Sequence, residues 1–191
     1  MMLKKSLVLF LLLSSVVLPL QAEEYLIDKK GTHAFIQFRI KHLGYSWLYG
    51  RFNDFSGRFS YDEKNPSAST VSVDINTASV DSNHAERDKH LRGEEFLYVE
   101  KYPTAKFVST SYIDQGAGKG TLKGELTLRG VTKPIEIAVE QIGHGKDPWG
   151  GYRRGLFGTT QIALADFGIP FNLGPASKNV EFELSVEGIR Q

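Results

Sequence analysis

The sequence predicts an all-β protein: one antiparallel sheet of about eight strands folded on itself as a sandwich or a barrel, with a short helical segment near 83–92. Three observations predict it. Eight segments alternate apolar and polar residues with the period of two that an extended chain imposes. Breakers such as Asn65-Pro66, the glycines of 115–120, Arg129-Gly130 and Gly174-Pro175 separate them. On nearly every segment one face is apolar and the other polar, so the sheet is wet on one side and must cover the other.

Residues 1–22 stand apart from this pattern. Lys4 and Lys5 make a positive start, Ser6 to Leu20 an apolar stretch, and Ala22 a small residue at a cleavage point. This is the three-part pattern of a secretory signal peptide. The apolar run is shorter than the roughly 18 to 20 residues of a spanning helix, and Glu23 and Glu24 follow it directly. The expected organisation is therefore a signal peptide at 1–22 and one β-domain at 23–191. No second apolar run long enough to span a bilayer follows. The chain has no cysteine. An exported domain without disulfides fits a bacterial periplasm, and the absence removes thiol catalysis and thiolate metal sites. Charge is nearly balanced, 23 Lys+Arg against 22 Asp+Glu, which leaves no nucleic-acid footprint.

The first strand carries Ile36, Phe38 and Ile40 on one face and Gln37, Arg39 and Lys41 on the other. In 55–61 the apolar row is Phe55, Gly57, Phe59 and Tyr61, and in 71–76 it is Val71, Val73 and Ile75. Segments 105–113 and 153–164 alternate less cleanly. In 121–129 the row is Leu122, Gly124, Leu126 and Leu128; in 135–142, Ile135, Ile137 and Val139; in 180–187, Val180, Phe182, Leu184 and Val186. Between 82 and 98 the alternation gives way to SNHAERDKHLRGEEFLY. Ser82 or Asn83 would cap a helix there, Glu86 sits at capping-box spacing from Asn83, and Gly93 would end it.

That helix is the most enzyme-like stretch. His84 and Asp88 would share a face, with His90 nearby, and such groups bind zinc or move protons. Their spacing matches no zinc motif, and a solvated charged helix with Arg87, Asp88 and Arg92 in ion pairs accounts for them better. His33, His42 and His144 are isolated and read as structural hydrogen-bonders. No nucleophile elbow, dinucleotide fingerprint or phosphate loop is present. Gly150-Gly151 beside Arg153 and Arg154 reads as a hairpin turn. What remains is a surplus of inward aromatics together with small inward residues (Ala34, Gly57, Ala105, Gly124, Ala163), a mixture that suits an apolar cavity.

Four stretches then point to a family: HAFIQFRIKHLGYSWLYGRFNDFSG (33–57), HAERDKHLRGEEFLYVEKYPTAKF (84–107), GELTLRGVTKPIEI (124–137) and DPWGGYRRG (147–155). Together they resemble the YceI-like family of bacterial secreted proteins, over essentially the whole mature chain. The resemblance implies an eight-stranded antiparallel barrel of lipocalin-like form in the periplasm. It implies a long hydrophobic tunnel for a polyisoprenoid chain, such as a quinone or a prenyl phosphate, and no established enzymatic activity, cofactor or metal. Alternation suggests Phe38, Ile40, Leu43, Trp47, Phe52, Phe55, Phe59, Phe96, Phe107 and Phe157 as tunnel lining. Leu43, Tyr45, Trp47 and Leu48 would fold over one end. His84, Arg87, Asp88 and His90 are the polar candidates at the mouth. Two other readings stay open: an enzyme acting on an isoprenoid or amide lipid through His84, Asp88 and His90, and a guest-free structural barrel of the envelope. A homodimer through an unpaired strand edge is compatible with either.

Overall fold

All eight expected strands form, and three more segments complete them into a closed barrel. The computed structural model describes residues 22–169 and 174–191; the expected signal peptide, apart from its last residue, lies outside the described residues. The strands are β1 (Glu23–Ile27), β2 (Phe35–His42), β3 (Ser46–Phe52), β4 (Phe55–Tyr61), β5 (Thr70–Asn76), β6 (Val80–Asp81), β7 (Thr104–Gly116), β8 (Lys119–Leu128), β9 (Val131–Lys146), β10 (Tyr152–Ala163) and β11 (Asn179–Arg190). One helix, α1 (Ala85–Arg92), follows β6. Among the described residues no helix is long and apolar enough to cross a membrane.

Eleven segments make eight barrel positions because the first three positions are broken in two. The long strand β11 pairs with β2 through Val180–Ser185 and with β1 through Gly188–Arg190, so β1 and β2 lie end to end along its edge. In the same way β3 pairs with β2 while β4 pairs with β1, and β6 and β5 continue that row. The remaining strands run in order, β5–β7–β8–β9–β10–β11, all antiparallel. With β1 bonded to both β4 and β11 the sheet has no free edge there, which resolves the choice between sandwich and barrel.

The turns explain the tight connections. Arg129 and Gly130 both have positive φ (51° and 74°) between the paired Leu128 and Val131, a two-residue hairpin whose twist matches its strands. Between β2 and β3 the loop is one residue longer: Leu43 and Gly44 again have positive φ (52° and 83°), Tyr45 follows, and His42 pairs with Ser46. This corrects the expectation that Leu43, Tyr45, Trp47 and Leu48 fold over the barrel end. They belong to a regular hairpin, in which Leu48 pairs with inward Ile40 and Trp47 with outward Lys41.

The helix is capped one residue later than Asn83 and two later than Ser82. Asn83 takes a left-handed φ of 61°, and His84 is the cap, its Nδ1 accepting the Arg87 backbone N–H at 3.2 Å. Gly93 ends the helix as expected.

Candidate functional site

The inward rows of the barrel do not meet across its axis. Valines, isoleucines and leucines from β5, β8, β9 and β11 are too short to fill an eight-stranded barrel, and they surround a cavity of about 580 Å³. Val71, Val73, Ile75, Leu122, Leu126, Ile135, Ile137, Val139, Leu184 and Val186 form much of its wall. The few polar residues that border it include Ser60, Ser69 and Thr160 along the wall and Lys41, His42, Arg87, His90 and Ser177 near one end. The space does not arise at the inward glycines Gly57 and Gly124, neither of which borders it. A side chain at Gly124 would collide with the Phe107 ring, and one at Gly57 with Ile27 and the Ser72 carbonyl. Those glycines are seats for neighbouring side chains, as Gly50 is for Phe38 across the β2–β3 pair.

Of the ten residues expected to line a tunnel, Phe38, Ile40, Leu43, Phe52, Phe55, Phe59, Phe96 and Phe107 border the cavity. Phe38 packs against Phe52 and Phe182, with ring centres 5.8 and 6.1 Å away. Trp47 does not border it. Its ring lies on the outer surface beneath the Lys41 ammonium (4.1 Å) and the Arg39 guanidinium (4.5 Å), a double cation–π contact. Phe157 touches the cavity, but its register partners Ser185 and Glu140 belong to the polar rows, which puts its ring on the outside of the wall. Alternation on β3 would have identified Leu48, and the helix and its following loop supply Leu91 and Leu97, which no period-two pattern marks.

One end of the cavity lies under α1. Among the described residues, the exposed ones that border the cavity are His42, Leu43 and His90, which places a mouth between the β2–β3 turn and the helix. Of the four polar candidates for this mouth, Arg87 and His90 border the cavity while His84 and Asp88 do not. Each has a structural partner. Buried Asp88 accepts the Ser82 backbone N–H at 2.7 Å and the Ser82 hydroxyl at 2.5 Å. Arg87 donates to the Ser82 hydroxyl (2.8 Å) and carbonyl (2.5 Å). His90 Nε2 meets Glu95 at 2.6 Å and its ring stands edge-on to Phe96. Arg92 donates to the carbonyls of Ala78 and Val80, both at 2.8 Å. Helix α1 is thereby bolted to the end of β6, and His84, Asp88 and His90 form no convergent set.

Toward the opposite end, behind the cavity-bordering Tyr61, lies a residue that composition alone did not reveal. Arg154 continues the inward row of β10 and is only 1% exposed. Its guanidinium lies 4.1 Å from the centre of the Tyr61 ring and donates to Glu63 (2.8 Å), to the Gln141 side-chain oxygen and, at 3.4 Å, to the Tyr25 hydroxyl. Burial disfavours its charge, but the bonds to Tyr25 and Glu63 outweigh that and raise its pKa further. Burial also raises the Tyr61 phenol above its ordinary value. The Tyr61 phenol that borders the cavity is thus neutral and backed by a satisfied cation.

Outside the wall at this end, Arg153 holds a second polar cluster. It donates to Asp28 at 2.6 Å, to Asp147 at 2.8 Å and to Glu187. Burial pushes the Asp28 carboxyl up, yet bonds from Arg153, the Gly31 N–H and His33 bring it below the usual range; Arg153 chiefly does the same for Asp147. Among the described residues, Asp28, His33 and Glu187 have ligand atoms within 4.8 Å of one another. The Arg153 guanidinium already stands between the two carboxylates, where a cation would sit.

Known proteins share both the sequence and the fold. A model of the YceI-like domain matches residues 25–188. A UPF0312 protein of Pseudomonas aeruginosa is 60% identical over the full length of both chains. One from a Shewanella species is 55% identical over 98% of this chain and 100% of its own. Among solved structures, a Campylobacter jejuni YCEI protein is similar at 30% identity with a TM-score of 0.72, covering 80% of this chain and 90% of that one. A polyisoprenoid binding domain from Saccharophagus degradans shares the fold at 15% identity and a TM-score of 0.61, covering 87% and 98%.

Proposed function

The chain belongs to the YceI-like family, and from that premise we propose that it is a periplasmic carrier holding the chain of an isoprenoid lipid inside its barrel. The observation that supports this best is the cavity: about 580 Å³, walled almost wholly by aliphatic and aromatic side chains, with one mouth beside α1. That volume lies within the range of pockets that enclose small molecules, and an apolar space of this kind favours an apolar guest over water. The guest class is carried over from the Saccharophagus domain of the same fold, whose name gives a polyisoprenoid as its ligand. Quinones and prenyl phosphates both present such a chain.

Burying one five-carbon isoprene unit contributes about 4 kcal/mol gross, at roughly 0.8 kcal/mol per methylene-sized group. Ordering of the flexible chain offsets part of this. Affinity therefore climbs with prenyl length until the cavity is full and then levels off. The reading is binding without chemistry, because His84, Asp88 and His90 are spent on capping the helix and fixing it. A length series of quinones, each tested for co-elution with the protein in gel filtration, checks the proposal. Retention that rises and then saturates supports it; no retention at any length refutes it.

A further inference from the structure

The turn between β2 and β3 carries side chains that a water-soluble barrel has no structural use for. Leu43 and Tyr45 stand at its tip, 57% and 88% exposed. Trp47 follows on the outer face with Lys41 and Arg39 on its ring. The tip rests against a second segment: Ser177 donates its hydroxyl hydrogen to the Lys41 carbonyl, and Ala176 lies beside Gly44. Between Ile40 and Gly50, and between Gly174 and Val180, there is no Asp or Glu, while Lys41, His42 and Lys178 are all present. Among the described residues Lys41 and Lys178 make no ion pair; Arg39 alone is matched, by Glu181 at 2.7 Å.

We propose that this hairpin docks the barrel on an anionic lipid surface, with Leu43 and Tyr45 entering the headgroup layer. Trp and Tyr settle at a membrane–water boundary because their rings are apolar and their edges polar, and nearby lysines gain from anionic headgroups. A loop tip with two exposed apolar side chains, an interfacial Trp and unmatched cations has both attractions in one place. The same tip forms one lip of the cavity mouth, since Lys41, His42 and Leu43 border the cavity. Docked by the tip, the mouth faces the bilayer. Lipid uptake through that mouth rests on the function proposed above; adsorption to the surface does not.

The cavity does not account for the two aromatic side chains of the tip. Tyr45 and Trp47 do not border it, and a guest in the barrel leaves them exposed to the same solvent. The other end of the barrel also bears an exposed aromatic, Trp149 at 77%, which makes it the natural control. There Asp147 accompanies it, along with the Arg153 cluster whose charges are already matched.

The test is flotation of the purified mature protein with vesicles of pure phosphatidylcholine and of phosphatidylcholine with one-third phosphatidylglycerol. The protein is expected to float with the anionic vesicles and to be released by salt. Lys178→Glu should weaken binding about fivefold or more, from a surface gain of roughly 1 kcal/mol per cation. Tyr45→Asp should weaken it at least as much, and Trp149→Ser should leave it unchanged. Absence of wild-type protein from both floated fractions overturns the proposal, as does loss on Trp149→Ser with retention in Tyr45→Asp. Analytical ultracentrifugation supplies a second check: a dimer that Tyr45→Asp converts to monomer would overturn the proposal and assign the tip to a second copy of this chain. Guest retention measured by gel filtration on the same variants separates failure of docking from failure of the carrier reading.

Discussion

Replacing Leu126 by tryptophan puts an aromatic ring into the space the proposed guest would occupy. Leu126 lies on the inward row of β8, borders the cavity, and packs against both clusters of the core. Tryptophan adds about six heavy atoms, close to the size of one isoprene unit, so a guest that must vacate that space loses about 4 kcal/mol of gross burial. Relief of the guest's ordering cost reduces the net loss to roughly 2 kcal/mol, about thirtyfold in dissociation constant. The empty protein responds the other way. A ring that fills void without forcing its neighbours should stabilise it by about 1 kcal/mol, a rise in melting temperature of roughly 2 to 4 °C for a domain of this size. Titration with a long-chain quinone measures the first effect and thermal unfolding of delipidated protein the second. Unchanged affinity in a folded variant would refute the placement of the guest beside Leu126. A destabilisation of several kcal/mol would show that the inward rows are already packed and that the cavity is not available space.

Three further outcomes follow from the site. Trp47→Ser should leave guest retention unchanged within about twofold, since its ring is outside the wall, whereas Phe38→Ala, which alters the wall itself, should change it. Asp88→Ala strands the buried Ser82 N–H and should cost about 1 to 3 kcal/mol in denaturant unfolding, a result that a purely catalytic Asp88 would not give. Arg153→Met should destabilise the protein most at neutral pH. Asp28 and Asp147 have folded pKa values held below the ordinary carboxylate value. Their contribution is therefore full above about pH 4 and is lost as pH falls through the lower folded values. The melting-temperature gap between wild type and Arg153→Met should narrow below pH 4; a gap that widens on acidification would contradict the assignment.

The barrel was legible because its inward rows keep a strict period of two. Val71-Val73-Ile75 and Val180-Phe182-Leu184-Val186 need only the pleat to be placed, and all seven border the cavity. β1 and β6 were not read because they are short, and each gains its meaning only from pairing: β1 with both β4 and β11, β6 with β3. Trp47 was misplaced because nothing in KHLGYSW marks Leu43–Tyr45 as a three-residue loop rather than a two-residue one, which would have paired Trp47 with inward Ile40. With the turn located, register pairs Trp47 with Lys41 and sends it outward. Arg154 was missed because Gly158 and Thr160 blur the apolar row of β10, and counting back by two from Ile162 would have found it. The small inward residues misled for a different reason. In a sheet, the space a glycine leaves goes to the nearest side chain: Phe107 has taken that at Gly124, and Ile27 and Val73 that at Gly57.

The most direct test of the carrier is native mass spectrometry of the protein purified from its own host without detergent, followed by identification of what passes into organic solvent. The carrier account predicts a protein mass raised by one stoichiometric adduct, resolving to a polyprenyl compound, and a smaller bound fraction in Leu126→Trp. A bare protein mass that stays bare after quinones and prenyl phosphates are supplied would contradict it.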